Sequence, residues 1–230
     1  HDDGSKISYL NESRLAKANE SGADVWTSYN LRYKAKPGSF LTKLFNPAIL
    51  NSRVVEEFTN TFRSLVLRSK FQLEIVSGEA IKHWYYGNNY LSSNGSLGNS
   101  CMKYENCQNY FSLYIENNIQ MAILLEDNRL LGRAILWEAQ DSLTGELVPI
   151  MDRIYTADDD LLAQIFKDWA KANGRLYRHQ QNWAHSLQWV QGDEIVEKRL
   201  EVKLPKSNFD RYPYMDSFKF LSPDGTLRNW

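Results

Sequence analysis

The chain has 230 residues, of which 43% are apolar and 24% charged, with two cysteines and a net charge of −1. Such a chain buries a core without disulfides or metal, has too few cysteines for a disulfide scaffold, and lacks the positive charge for whole-surface nucleic-acid binding. Its longest apolar runs, such as MAILL at 121–125, are too short to span a bilayer, so no membrane partner is expected.

Residues 1–30 are polar and weakly periodic and read as an irregular N-terminal arm. Residues 31–230 show no convincing linker and read as one compact α+β domain. In SRVVEEFTNTFRSLVLRSK, Val55, Phe58, Phe62, Leu65 and Val66 recur at helical spacing, and Asn51 or Ser52 can cap the start. FQLEIV alternates like a strand with Gln72 and Glu74 outward, and SGEAIKHWYYGNNY is a short helix that ends by Gly87.

Beyond the glycine-rich GSLGNSC, residues Cys107, Tyr110, Phe111, Tyr114 and Ile115 form one helical stripe, which commits Cys107 to packing. IQMAILLE and RLLGRAILWEA flank the two-residue turn Asp127-Asn128 and read as a β-hairpin. After the turn DSLTGE comes the strand LVPIMDRIYT. ADDDLLAQIFKDWAKANG is a helix with aspartates at its start and Gly174 where a C-terminal cap belongs. RLYRHQQ is a strand, EIVEKRLEVKL one long strand, and FKFLSPDGTLRNW a hairpin around Pro223-Asp224-Gly225. The expected fold is a mostly antiparallel mixed sheet with about four helices packed mainly on one face.

Charge is unevenly distributed. Eight Lys and Arg face two acids between Arg32 and Lys70, whereas ten acids face four Lys and Arg between Glu126 and Asp168. Such an asymmetry steers partners or is neutralised within the fold.

Cys101 follows a Gly-Asn-Ser bend near a helix start, where a thiolate is favoured, and His179 or His185 would serve as its base in a cysteine-dependent enzyme. The competing reading is a structural thiol. A zinc site is disfavoured because five residues separate Cys101 from Cys107. No cofactor motif is present.

Arg133 and Arg153 interrupt apolar strands. Each either faces solvent or pairs with a carboxylate, and Arg133 with Asp152 is the expected cross-strand pair. Asp152 and Arg153, being adjacent on a strand, point to opposite faces. Trp84 and Tyr85 in HWYYG and Trp183 in the NWAHS stretch, near Lys82 and Arg178, are candidates for a partner surface. The same aromatics, with the basic N-terminal half, leave single-stranded nucleic-acid binding as an alternative.

Two resemblances follow from these segments. Hairpin, strand, helix, strand over the 120s to 180 is similar to the acyl-CoA-binding half of the acetyltransferases related to histone and aminoglycoside acetyltransferases. That family holds the cofactor pyrophosphate with a Gly-rich basic loop, and TADDDLL stands in its place here, which points to shared packing rather than shared activity. Separately, GSLGNSCM at 95–102, GRAILW at 132–137, MDRIY at 151–155 and YPYMDSF at 212–218 resemble, in that order, an uncharacterised group of tailed-phage proteins. The resemblance implies a soluble phage protein of the host cytoplasm or virion. Without a complete catalytic constellation, the expectation is a non-enzymatic protein that binds a host or virion protein.

Overall fold

The computed structural model describes residues 5–22, 32–45, 50–68, 71–181, 187–204, 218 and 220–230. The chain forms two compact units, His1–Lys70 and Phe71–Trp230. The division at Lys70 replaces the expected single domain from residue 31.

Unit 1 holds strands β1 (Ile7–Tyr9) and β2 (Tyr33–Ala35), paired antiparallel, and helices α1 (Glu12–Glu20), α2 (Pro37–Leu44) and α3 (Ser52–Arg68). The segment read as an irregular arm therefore contributes a strand and a helix. Asn11 caps α1 by accepting from the Arg14 N–H at 3.1 Å, a signal that the weak periodicity of the segment obscured. Asn51, rather than Ser52, caps α3, accepting from the Val54 N–H at 2.9 Å. Helices α2 and α3 meet at Gly38, where a side chain would press on Val55 Cγ1 at 2.9 Å.

Unit 2 is built on an eleven-stranded sheet. Its centre is β5 (Arg129–Asp141), joined to β4 (Gln120–Glu126) through a turn in which Asp127 and Asn128 both have positive φ, 50° and 57°. That is the mirror-image turn that matches strand twist, as the hairpin reading required. Strand β3 (Gln72–Ser77) pairs outside β4, and β6 (Leu147–Met151) and β7 (Tyr155–Thr156) share the other edge of β5. Strand β8 (Leu176–Arg178) runs parallel to β6, and β9 (Gln188–Gln191) and β10 (Glu194–Glu197) extend that side. The far end of β5 pairs with β11 (Leu200–Lys203), followed by β13 (Thr226–Arg228) and β12 (Phe220–Leu221).

Two expected strands are interrupted. EIVEKRLEVKL breaks at Lys198 and Arg199, where the chain leaves its pairing with β9 and joins β5. LVPIMDRIYT breaks between β6 and β7. Leu136 lies opposite Met151 and Arg133 opposite Tyr155, so three steps on β5 face four on the other strand. The extra residue is a β-bulge.

Helices α4 (Glu79–Tyr85), α5 (Gly95–Asn99) and α6 (Phe111–Glu116) lie on one face of the sheet, with short 3₁₀ turns at Cys101–Lys103 and Glu105–Tyr110. Tyr85 and Tyr114 there meet Arg133 and Trp137. Helix α7 (Asp159–Ala172) covers the opposite face: a side chain at Gly132, one residue out of phase with Arg133, would press on Phe166 Cε2 at 3.0 Å. Seven α-helices thus occur among the described residues, where about four were expected; the α+β class with a mixed, mostly antiparallel sheet stands. No helix of the described residues is long and apolar enough to cross a membrane.

Candidate functional site: a polar cavity over a buried arginine

Three of the phrases singled out in the sequence converge on one face of β5. Arg133, from GRAILW, is fully buried. It neither faces solvent nor lies opposite Asp152. Its guanidinium carbon sits 3.9 Å from the centre of the Tyr85 ring and 4.7 Å from that of Tyr155, and Nη2 donates to Ser100 Oγ at 2.7 Å. The bulge shifts the register, which puts Tyr155 across from Arg133 in place of the expected carboxylate. Away from water, such ring contacts are each worth up to about 2 kcal/mol.

Asp152 is also fully buried; it accepts from Trp137 Nε1 at 3.0 Å and from the Arg153 backbone N–H at 2.7 Å. On Trp137 the ring of Phe218, the one described residue of the YPYMDSF phrase, packs edge-on at 5.7 Å. The bulge is further tied by Ile154 N–H donating to Gln181 Oε1 at 2.7 Å.

Above Ser100 and Tyr155 opens a cavity of about 520 Å³, lined among the described residues by Gly95, Ser96, Asn99, Ser100, Cys101, Arg153, Tyr155 and Asp159. Its rim is fixed by backbone packing. Gly95 has φ +60°, and a Cβ there would overlap the Thr156 carbonyl; a Cβ at Gly98 would overlap the Ser93 carbonyl. Asp159 accepts from the Ser96 N–H at 3.0 Å, from Ser96 Oγ and from Thr156 Oγ1 at 2.7 Å, locking α5 to the start of α7. Arg153 is half-buried, its guanidinium carbon 4.9 Å from the Tyr155 ring centre. One tyrosine therefore touches both the buried and the cavity arginine.

Cys101 begins a 3₁₀ turn in the cavity wall and is half-buried. Cys107 packs against the core, and burial pushes its thiol pKa up. His179 follows β8, with its backbone N–H donating to Gln188 O at 3.1 Å, and is not among the described cavity residues. His185 and Trp183 lie outside the described residues. Trp84 packs half-buried against the core, its ring edge-on to His83 at 4.6 Å, and Tyr85 is buried. The structure thus brings Cys101 and Arg153 to one cavity, with Arg133 and Tyr85 beneath it and Asp152 beside the bulge. Among the described residues no cluster of three or more His, Cys, Asp or Glu could hold a metal ion.

The strand–helix–strand order of the acyltransferase resemblance is present, yet the start of α7 answers its own donors. Asp158 accepts from the Leu161 N–H at 3.1 Å, and Asp159 is engaged as above. Carboxylates occupy the place where a pyrophosphate would need bare N–H groups.

Sequence reasoning missed Ser96, Asn99, Ser100, Tyr155 and Asp159. The signal available was the closely spaced glycine pair of GSLGNS, which marks backbone packed against backbone.

Comparison with protein-family models, with curated proteins and with solved structures finds no match for this chain.

Proposed function

We propose that the chain is a phage-encoded protein that acts by binding a host or virion protein, with unit 1 as the binding element. The observation that carries this reading is α3. Its stripe of Val55, Phe58, Phe62 and Val66 is only half-buried, and Leu65 is 62% exposed. Phe58 and Phe62 stack at 6.2 Å, a rigid aromatic pair of the kind that anchors protein interfaces. Leu44 and Phe45, at the end of α2, are exposed as well. Unit 1 carries eleven Lys and Arg against seven Asp and Glu, so an acidic partner surface is favoured. The origin rests on the phage-group phrases, and the residues they share lie around Arg133.

The test is capture by the immobilised full chain from host lysate and from purified virions, beside a Phe45→Glu/Leu65→Glu double variant that keeps the wild-type circular dichroism. A protein held by the wild type and lost by the variant is expected. Identical capture profiles would refute the reading.

A cysteine-dependent enzyme is the second reading, favoured by the placement of Cys101 in the cavity wall. It requires a thiol that alkylates with an apparent pKa well below the unperturbed ~8.5. Alkylation of a Cys107→Ala protein against pH decides it, since a profile at or above that value removes the nucleophile.

A further inference from the structure

Strand β5 has a gap along one edge, and a second cavity opens at that gap. Both β4 and β11 run antiparallel to β5 on this edge, end to end. The β4 ladder begins at Gln120 opposite Leu136, and the β11 ladder ends at Glu201 opposite Gln140. Trp137, Glu138 and Ala139 therefore have no register partner there among the described strands. Three residues span about 10 Å of strand, too short for a further strand and enough for one planar group. Parity along β5 decides which backbone groups face the gap. Asp152 N–H donates to Ile135 O at 2.8 Å and Asp141 N–H donates to Glu146 O at 2.9 Å, so odd-numbered residues address the β6 edge. On the other edge Ser142 N–H donates to Arg199 O at 2.8 Å. Glu138, being even, turns both its N–H and its C=O into the gap.

The cavity measures about 540 Å³, within the range of small-molecule sites, and its lining includes Asn117, Gln120, Leu136, Glu138, Val202 and Leu204. Leu136, Val202 and Leu204 are each at most 7% exposed and give it apolar walls. The Asn117 amide has a fixed orientation: Nδ2 donates to Leu113 O at 2.7 Å, which ties the nitrogen to α6. Its Oδ1 is buried and meets no donor among the described residues. A buried acceptor in that state is destabilising until a donor reaches it. These demands set the ligand class. Glu138 N–H needs an acceptor, Glu138 C=O needs a donor beside it, and Asn117 Oδ1 needs a second donor. A carboxylate has no proton to give, and an ammonium has no lone pair to accept one. A trans peptide group points its N–H and C=O in opposite directions. A primary carboxamide carries one acceptor and two donors in a plane, and the amino edge of adenine carries the same set.

We infer that this cavity is a binding site for a small neutral ligand with an NH₂ beside an acceptor, held by the Glu138 backbone and the Asn117 carbonyl. That edge comes from a primary carboxamide or from an adenine-type ring, and matched probes separate the two.

The experiment titrates the ¹⁵N-labelled full chain and reads backbone amide shifts. Nicotinamide is the carboxamide probe, matched with nicotinate and N,N-dimethylnicotinamide, which lack the NH₂. Adenine is the ring probe, matched with purine, which lacks the amino group. Saturable movement of the Glu138 amide is expected with nicotinamide or adenine. The matched analogue should bind at least about ten-fold more weakly, the loss of one net hydrogen bond. Movement with one probe alone names the source, and movement with both shows that the site reads the shared edge. Asn117→Leu should weaken the same probe about ten-fold while keeping the wild-type circular dichroism. Absence of saturable shifts with both probes overturns the proposal, as do equal affinities within a matched pair or shifts confined to residues away from the gap. So does an Asn117→Leu protein that binds as the wild type does. If Asn117→Leu does not fold, the matched pairs and the Glu138 shift still decide.

Discussion

The two units differ in whether they enclose an aromatic cluster: unit 2 does, although Tyr104 and Trp230 lie at its surface, and the described part of unit 1 does not. In unit 2, Tyr85, Phe111, Tyr114 and Trp137 are at most 1% exposed and touch in succession, with Tyr85 and Phe111 stacked at 4.4 Å and Tyr114 tilted against Trp137 at 5.8 Å. In unit 1 no described aromatic residue is buried, and the described buried residues are Ala35, Pro37 and Leu41. Tyr9 and Tyr33 sit under cations at the surface, with the Lys43 ammonium donating to the Tyr9 hydroxyl at 3.2 Å and the Arg14 guanidinium 4.1 Å over the Tyr33 ring. A ring enclosed on all sides contributes to stability, whereas one left half in water is available for another surface. Stability therefore resides mainly in unit 2, and unit 1 presents surface.

The sharpest way to break that contrast is Trp137→Ala. It removes one of the two buried tryptophan rings of the core and leaves the buried Asp152 without its indole donor, so a loss of about 3–5 kcal/mol is expected from urea unfolding. A loss under about 1 kcal/mol would mean the cluster is loosely packed.

Next in size is Lys198→Met. The Lys198 ammonium lies 3.0 Å from Asp141, which is 4% exposed, and its removal strands a buried carboxylate at a cost of about 3 kcal/mol. Burial pushes the Asp141 pKa up, but the Leu143 N–H and Lys198 outweigh it, and the net shift is downward. A depressed carboxylate stabilises the fold at pH values above its unfolded pKa of about 3.9, and that contribution is lost as pH falls through the folded value. Wild-type stability should thus decline below about pH 4, and Lys198→Met should flatten this decline in unfolding curves taken across that window.

Ser100→Ala removes the hydroxyl that accepts from buried Arg133, for an expected loss of about 2 kcal/mol. The cavity wall loosens with it, so Cys101 alkylation should quicken in the same variant. The smallest effect belongs to Leu65→Ser on α3, within about 0.5 kcal/mol of wild type by the same unfolding measurement. A larger loss would place Leu65 in a core and end the contrast from the other side.

Much of the fold was legible because it is local. The Asp127-Asn128 turn, the apolar stripe of α7 and the stripe of α3 each lie within a short window, where periodicity and turn chemistry speak directly. What escaped depends on partners distant in sequence. The bulge between Met151 and Tyr155 cannot be read from alternation, because an extra residue shows only against the opposing strand. Ile75 is 39% exposed while Glu74 is half-buried, so outward and inward on β3 were not as the alternation of FQLEIV implied. The burial of Arg133 was invisible for the same reason: its acceptor and its two rings come from Ser100, Tyr85 and Tyr155, on three separate elements. Cys101 could be singled out from its Gly-Asn-Ser bend, but the cavity beside it needed Arg153 and Asp159 brought from beyond the hairpin.

Strand β5 also has a kinetic consequence. One end of it pairs with β4 across a two-residue turn, a closure that takes about 1–10 μs for hairpins. Its other end closes locally on β6, with Gln140 opposite Leu147, but on its second edge Gln140 and Asp141 pair with Glu201 and Leu200, and the whole intervening chain must be looped before that pairing forms. Folding slows as contacts of this separation dominate. The pairings of β5 with β4 and β6 should therefore be structured in the transition state while its pairing with β11 is not. High φ-values at Ile123 and Ile135 with low ones at Leu200 and Val202 would record that order.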